Sequence, residues 1–373
     1  MKIVADNKIP FLMGMPGGVA ELIFIPGREI SRENIIDADA LIVRTRTKCN
    51  EKLLSGTSVK FIASATIGFD HIDIEYCNAN GIGWTNAPGC NSGSVMQYIA
   101  SALSWIAISS GKSFGELILG IVGVGNVGSK VEHLGRTLGM KVLMNDPPRQ
   151  RSEGEPIFSE LKELLEQSDI VTMHVPLNFA GPDKSYHLAD ENFFSNMKKG
   201  SWFINTSRGE VMHSRKLSDS LRKGHLGGTV LDVWENEPEI DLELLSLAGI
   251  STPHIAGYSL DGKANGTAQS VSSVSRHFSL GIDDWYPDNV PPPSGDIITI
   301  TSEMEDLDQV AGKLFKHTYN IEADSAMLRS APGKFEYFRD NYHPRREFGA
   351  YKINFENPLH PYNDIFRKLG FRV

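Results

Sequence analysis

At 373 residues the chain exceeds the length at which a single hydrophobic core stops growing, so two or three domains are expected. A net charge of -9 gives no global attraction to phosphate backbones or anionic lipid, which argues against nucleic acid or a membrane surface as a partner. No apolar run reaches membrane-spanning length, and MKIVADNKIPF lacks the regions of a secretory signal, so a cytoplasmic protein is expected.

From the start to about residue 90, KIVAD, ADALIVR, VKFIASA and GIGWTN read as strands, and their near-continuous apolar character fits a sheet covered on both faces. Arg44, Arg46 and Lys48 in VRTRTK concentrate positive charge beside Thr45. They read either as a solvated strand end or as a seat for an anionic substrate group. Cys49, Cys77 and Cys90 form no CxxC pair, and no histidine cluster has metal-ligand spacing, so buried free thiols and no metal are expected. Residues 91–109 read as a long helix whose Val95, Ile99, Leu103 and Ile106 make one apolar face.

A second series starts with strand LILGIVG, a glycine-rich turn and a helix ended by Gly139. KVLMND, SELKELLEQ, DIVTMHV, ENFFSNMKK, SWFINTS, SRKLSDSLRK and GTVLDV then alternate strand and helix, which argues for a doubly wound parallel sheet. Another helix is expected over residues 260–280. The prolines of WYPDNVPPPSGD mark a domain boundary, since they sustain neither helix nor central strand. Beyond them come strand DIITI, helix MEDLDQVAGKLF, strand AYKINF and a final helix.

Chemistry enters with GVGNVG between an apolar strand and a helix. Gly123 suits a tight turn, Gly125 lets backbone approach a pyrophosphate, and Gly128 lets the helix pack closely. The amides of Asn126 and Val127, at the helix start, would face that pyrophosphate. Asp146 ends the next strand, where a carboxylate can accept from ribose hydroxyls, so NAD is expected as cofactor. Arg149 and Arg151 nearby keep NADP open, and Asp146 could instead simply turn the chain before Pro147 and Pro148.

Arg208 in NTSRGE, Glu237 in LDVWENEP and His254 in TPHIAG lie at or near later strand ends, where open parallel sheets bind ligands. Singly, each has an ordinary reading as a surface ion-pair partner, a solvated acid or a structural histidine. Together they supply what oxidation of an alcohol beside a carboxylate needs. His254 is a base that titrates near neutrality, Glu237 orients it, and Arg208 is a planar cation that grips a carboxylate. Glu235 reads as merely exposed.

At these motifs the sequence resembles the D-isomer-specific 2-hydroxy acid dehydrogenases, whose hallmark segments look like GVGNVG, NTSRG, DVWENEP and TPHIAG. One branch is similar along nearly the whole chain, through IPGR, ADALIVRTRTK, ATIGFDHID, APGCN, IVGVGNVGSK, DPPR, HIAGYSLDGKA and the C-terminal extension. The resemblance implies an α/β protein with a discontinuous flavodoxin-like substrate domain (residues 1–94 and 258–285) and a Rossmann NAD domain (95–257). It further implies a C-terminal α+β dimerisation domain (286–373), a homodimer, and a cleft that closes over a small phosphorylated hydroxy acid.

By the same resemblance Arg208, Glu237 and His254 are catalytic, with His254 the proton donor in the reductive direction. Thr45, Thr66 and Tyr258 match substrate positions, with the amides of Ile67 and Gly68 on the carboxylate. Asp146, Val175, Thr206, Asp232 and Gly257 match NAD contacts. Thr45 stands where a Ser is familiar and Val175 where a Thr is familiar. The alternatives are another acid (phosphoglycerate, glyoxylate or lactate) and a nucleotide-sensing protein without turnover.

Overall fold

The computed structural model describes residues 1–154, 157–304 and 306–373. The chain forms two compact units, Met1–Asn91 with Ser259–Pro292, and Ser92–Tyr258 with Pro293–Val373.

In the first unit β1 (Lys2–Asp6), β2 (Glu21–Ile25), β3 (Ala40–Val43), β4 (Phe61–Ser64) and β5 (Gly83–Thr85) pair in parallel in the order β2-β1-β3-β4-β5. Side chains alternate between two cores, as a pleated sheet demands. Ile3, Ala5, Ile42 and Ala63 pack with Val271 and Val274 of the helix Leu260–Phe278, while Val4, Leu41, Val43 and Ile62 pack with Ile35 and Leu53. Strand β2 was not expected. It sits at the sheet edge with no fully buried residue, so its apolar signal is diluted. Cys49, Cys77 and Cys90 are buried free thiols, as expected.

The second unit holds β6 (Ile118–Val122), β7 (Lys141–Asn145), β8 (Ile170–Met173), β9 (Trp202–Asn205), β10 (Gly228–Leu231) and β11 (Ile250–Ser251). All are parallel, in the order β11-β10-β9-β8-β6-β7, a Rossmann-like sheet whose order reverses at β6 and β8. Alternation recurs here: Ile170, Ile204 and Val230 face one core, Val171, Phe203 and Leu231 the other.

Residues of the segment after the proline run share the first of these cores. β12 (Ile297–Ile300) and β13 (Lys352–Phe355) form a two-stranded parallel sheet. Val310, Leu314 and Phe315, on the helix Leu307–Thr318, cluster with Ile99, Leu103 and Ile106. The reason lies in the helix Ser92–Ser110, which buries Ser94, Gln97 and Ser101 besides its apolar face and so is covered on more than one side. Ser101 donates to the Tyr319 carbonyl at 3.0 Å, and Gln97 to that of Arg346 at 2.9 Å. Glu305, inside the expected helix 304–315, lies outside the described residues. Among the described residues no helix is long and apolar enough to cross a membrane.

Candidate active site

Each glycine of the turn after β6 answers a different constraint. Gly123 has φ +86°, and a Cβ there would meet the His174 carbonyl oxygen and Val175 Cγ1 at 2.8 Å. Gly128 lies so close to the Gly123 carbonyl oxygen that a Cβ would stand 2.1 Å from it. Gly125 has nothing within 4 Å of its virtual Cβ, and it precedes the helix Asn126–Thr137 with no side chain capping the first turn. An uncapped helix start beside open backbone suits a pyrophosphate, so the residues present fit a dinucleotide.

Asp146 turns the chain before Pro147, the second of its two readings. It caps the helix Pro147–Glu153, accepting from the Arg149 amide at 3.0 Å through Oδ1, while Oδ2 accepts from the Val124 amide at 2.7 Å. One carboxylate thus ties the glycine turn to the end of β7 and has lone pairs beyond the two used here. Arg149 pairs with Glu153 and Arg151 with Asp183, both at 2.6 Å, so neither is a spare cation for a 2′-phosphate.

The remaining candidates follow β8 to β11 at their carboxyl ends: Val175 after β8, Thr206 and Arg208 after β9, Asp232 and Glu237 after β10, and His254, Gly257 and Tyr258 after β11. The loops carrying Arg208 and Glu237 touch through Gly209, whose virtual Cβ falls 2.0 Å from the Trp234 carbonyl. Arg208 is exposed, its Nη1 donating to the Ser207 carbonyl at 2.7 Å.

Glu237 divides its carboxylate. Oε1 accepts from the Trp234 amide at 2.9 Å, and Oε2 stands 2.7 Å from His254 Nδ1, which leaves Nε2 for a proton in transit. His254 has φ +56°, a conformation that a side chain rarely adopts. Asp232 holds it there, accepting from the Ile255 and Ala256 amides at 2.8 and 2.9 Å and from Thr252 Oγ1 at 2.6 Å. Burial raises the Asp232 carboxyl above its usual range, against the opposing pull of His254 and these donors.

The signature "D-isomer specific 2-hydroxyacid dehydrogenase, NAD binding domain" matches residues 100–256, and a "Domain of unknown function (DUF3410)" matches residues 290–370. The erythronate-4-phosphate dehydrogenase of Bacteroides fragilis is 49% identical over 95% of this chain and 99% of that protein. Its counterpart in Escherichia coli O157:H7 is 41% identical over 100% and 98%. The chain belongs to the erythronate-4-phosphate dehydrogenase family. Among solved structures, the Aquifex aeolicus D-lactate dehydrogenase complexed with NAD and lactic acid is similar at TM-score 0.57, with 26% identity over 78% of this chain and 100% of that one. This chain is therefore an NAD-dependent dehydrogenase.

In the first unit of this dehydrogenase, Thr45 is exposed in a hollow of about 550 Å³ that it shares with Lys48, Asn50 and Asp70. Thr66 Oγ1 donates to the Gly68 carbonyl at 3.1 Å, and Asn86 Nδ2 donates to that of Ile67 at 2.7 Å. These bonds brace the loop after β4 through its carbonyls. The three cations of VRTRTK separate: Arg44 Nε pairs with buried Asp6 at 2.9 Å, while Arg46 and Lys48 line a hollow of about 690 Å³ with Arg28, Arg32 and Lys52.

Two groups of the dehydrogenase escaped the sequence reading. Glu235, expected to be exposed, is half-buried and accepts from the Ser214 amide, while standing 2.7 Å from His187 Nε2. Burial opposes its charge, yet hydrogen bonds from Ser214 and His187 outweigh it and hold the carboxyl below the usual range. It pins the loop that carries Glu237. The ENE spacing offered a hint, but its partners lie far along the chain.

His174, which ends beside Gly123, stands 3.0 Å from Thr172 Oγ1 and 3.4 Å from Thr206 Oγ1. Burial lowers it from 6.5 to about 3, so the ring stays neutral. The unfolded chain then takes up a proton that the folded one refuses, so the stability this neutral ring carries is complete above 6.5 and is lost as pH falls towards 3. The slope stays under about 1.4 kcal/mol per pH unit, because a single proton is linked to folding here. A His174→Asn variant is expected to lose less thermal stability than the parent between neutral pH and about pH 5. Calorimetry at matched ionic strength checks this, and parallel losses would refute it.

Proposed function

We propose that this dehydrogenase oxidises the C2 hydroxyl of 4-phospho-D-erythronate to 3-hydroxy-2-oxo-4-phosphobutanoate, a step towards pyridoxal 5′-phosphate. The observation that carries this is the His254 and Glu237 pair at 2.7 Å in a chain 41% to 49% identical to erythronate-4-phosphate dehydrogenases over nearly its full length. His254 Nε2 takes the hydroxyl proton as the C2–O bond becomes a carbonyl, and Glu237 holds the imidazole and balances the charge it gains. Arg208 grips the carboxylate and the carbonyl oxygen with its planar fork. NAD, held by Gly123 to Gly128, Asp146, Val175, Thr206, Asp232 and Gly257, supplies the hydride acceptor when bound.

Thr45, Thr66, Tyr258 and the Ile67 and Gly68 amides bind the substrate. Arg46 and Lys48 read its phosphate; Arg44, committed to Asp6, sets the loop instead. A homodimer and a cytoplasmic location complete the reading, the latter supported by three buried free thiols. Steady-state assays with 4-phosphoerythronate, phosphoglycerate, glyoxylate and lactate test the substrate. The phosphorylated four-carbon acid is expected to win, and Arg46→Glu with Lys48→Glu to raise its KM on the order of tenfold or more. Preference for an acid without phosphate would overturn the assignment.

A further inference from the structure

The turn that carries His254 is held from two sides. Asp232 takes its amides, and its carbonyls go to a cation contributed by the C-terminal segment. Arg345 Nη2 donates to the Ala256 carbonyl at 2.5 Å and lies 3.4 Å from that of Ile255. The residue is 3% exposed, its guanidinium carbon 4.4 Å from the Tyr319 ring centroid, with Nε and Nη1 making no hydrogen bond among the described residues. The +56° φ of His254 therefore sits between an anion on the amides of the next two residues and a cation on their carbonyls. From the same segment, Arg339 on the helix Phe335–Asp340 brings Nη1 to 3.8 Å from Glu237 Oε2, the oxygen that holds the imidazole. Tyr342 hydrogen-bonds to Asp324 at 2.7 Å, and its ring packs edge-on 6.1 Å from that of Tyr258.

We propose that Arg345 and Arg339 are positioning residues of the proton-transfer pair, Arg345 by clamping the backbone under His254 and Arg339 by anchoring the Glu237 carboxylate. The stretch beyond the Rossmann sheet is thus part of the catalytic apparatus of its own chain. A buried cation on two carbonyls and a guanidinium beside a shared carboxylate are costly arrangements for a segment serving only assembly. This rests on the reading of His254 and Glu237 as the acid-base pair.

The test uses the full-length enzyme with NAD and 4-phosphoerythronate. Arg339 is 27% exposed at its side chain, so Arg339→Gln is expected to fold. Its kcat should fall about ten- to hundredfold with the KM for NAD unchanged, since only the alignment of the pair is disturbed. Arg339→Lys, which restores the charge, should recover most of that loss. Arg345→Met, where it folds, should show the same split. Wild-type kcat in Arg339→Gln, equal losses in the Gln and Lys variants, or a loss that tracks dissociation in sedimentation would each overturn the proposal. His254→Ala assayed in parallel separates the two readings: if it stays active the acid-base reading fails, and if it alone is impaired only the positioning role fails.

Discussion

Replacing His254 with Ala is expected to lower kcat about a hundred- to ten-thousandfold, the share a positioned base ordinarily contributes. Two features make this a clean experiment. The turn around residue 254 is held by Asp232 and Arg345 through the backbone of residues 255 and 256, so the variant keeps its support. The glycine turn and Asp146 belong to other loops, so NAD should bind with unchanged affinity in a fluorescence titration. Loss of turnover with NAD binding and the thermal midpoint retained is the expected pattern. Near-normal NADH production would remove His254 from the chemistry.

Gly209→Ala should act on stability and catalysis at once. A methyl group there would stand 2.0 Å from the carbonyl carbon and oxygen of Trp234 and 2.5 Å from the Glu235 nitrogen, all backbone atoms. No side chain can swing aside, so the Arg208 loop must move off the Glu237 loop. Overpacking of this kind costs about 1–3 kcal/mol and lowers the thermal midpoint. A displacement of that size between the carboxylate grip and the acid-base pair should cut kcat/KM roughly a hundredfold. Gly115→Ala, where the added atom meets nothing within 4 Å, is the matched control. Unchanged melting and kinetics in Gly209→Ala would show that the two loops are not tied together as described.

Local spacing made much of the fold legible. The buried strands β1, β3, β4 and β6 to β10 announce themselves through apolar runs, because both of their faces need cover. Elements failed to announce themselves where a local rule pointed elsewhere. The helix Pro147–Glu153 hides behind two prolines that read as a turn, although proline is at home in a first helical turn, where no amide bond is lost. Strand β2, half-exposed at an edge, lacks the pattern, and the short helix Leu242–Leu247 offers little more than one turn of it.

What the sequence determined alone is the kind of chemistry: a glycine turn between strand and helix, an acid one strand later, and a cation, an acid and an imidazole at successive strand ends. Those features depend on neighbours within a few positions, and short-range geometry is written in residue type. Only the tertiary structure decided which oxygen of Glu237 meets His254, that Glu235 is tied down rather than exposed, and that Arg345 reaches the Ala256 carbonyl from 89 positions away. Such contacts arise when separately formed elements pack. Their partners are selected by the shape and charge of the whole core, a quantity no window of sequence contains.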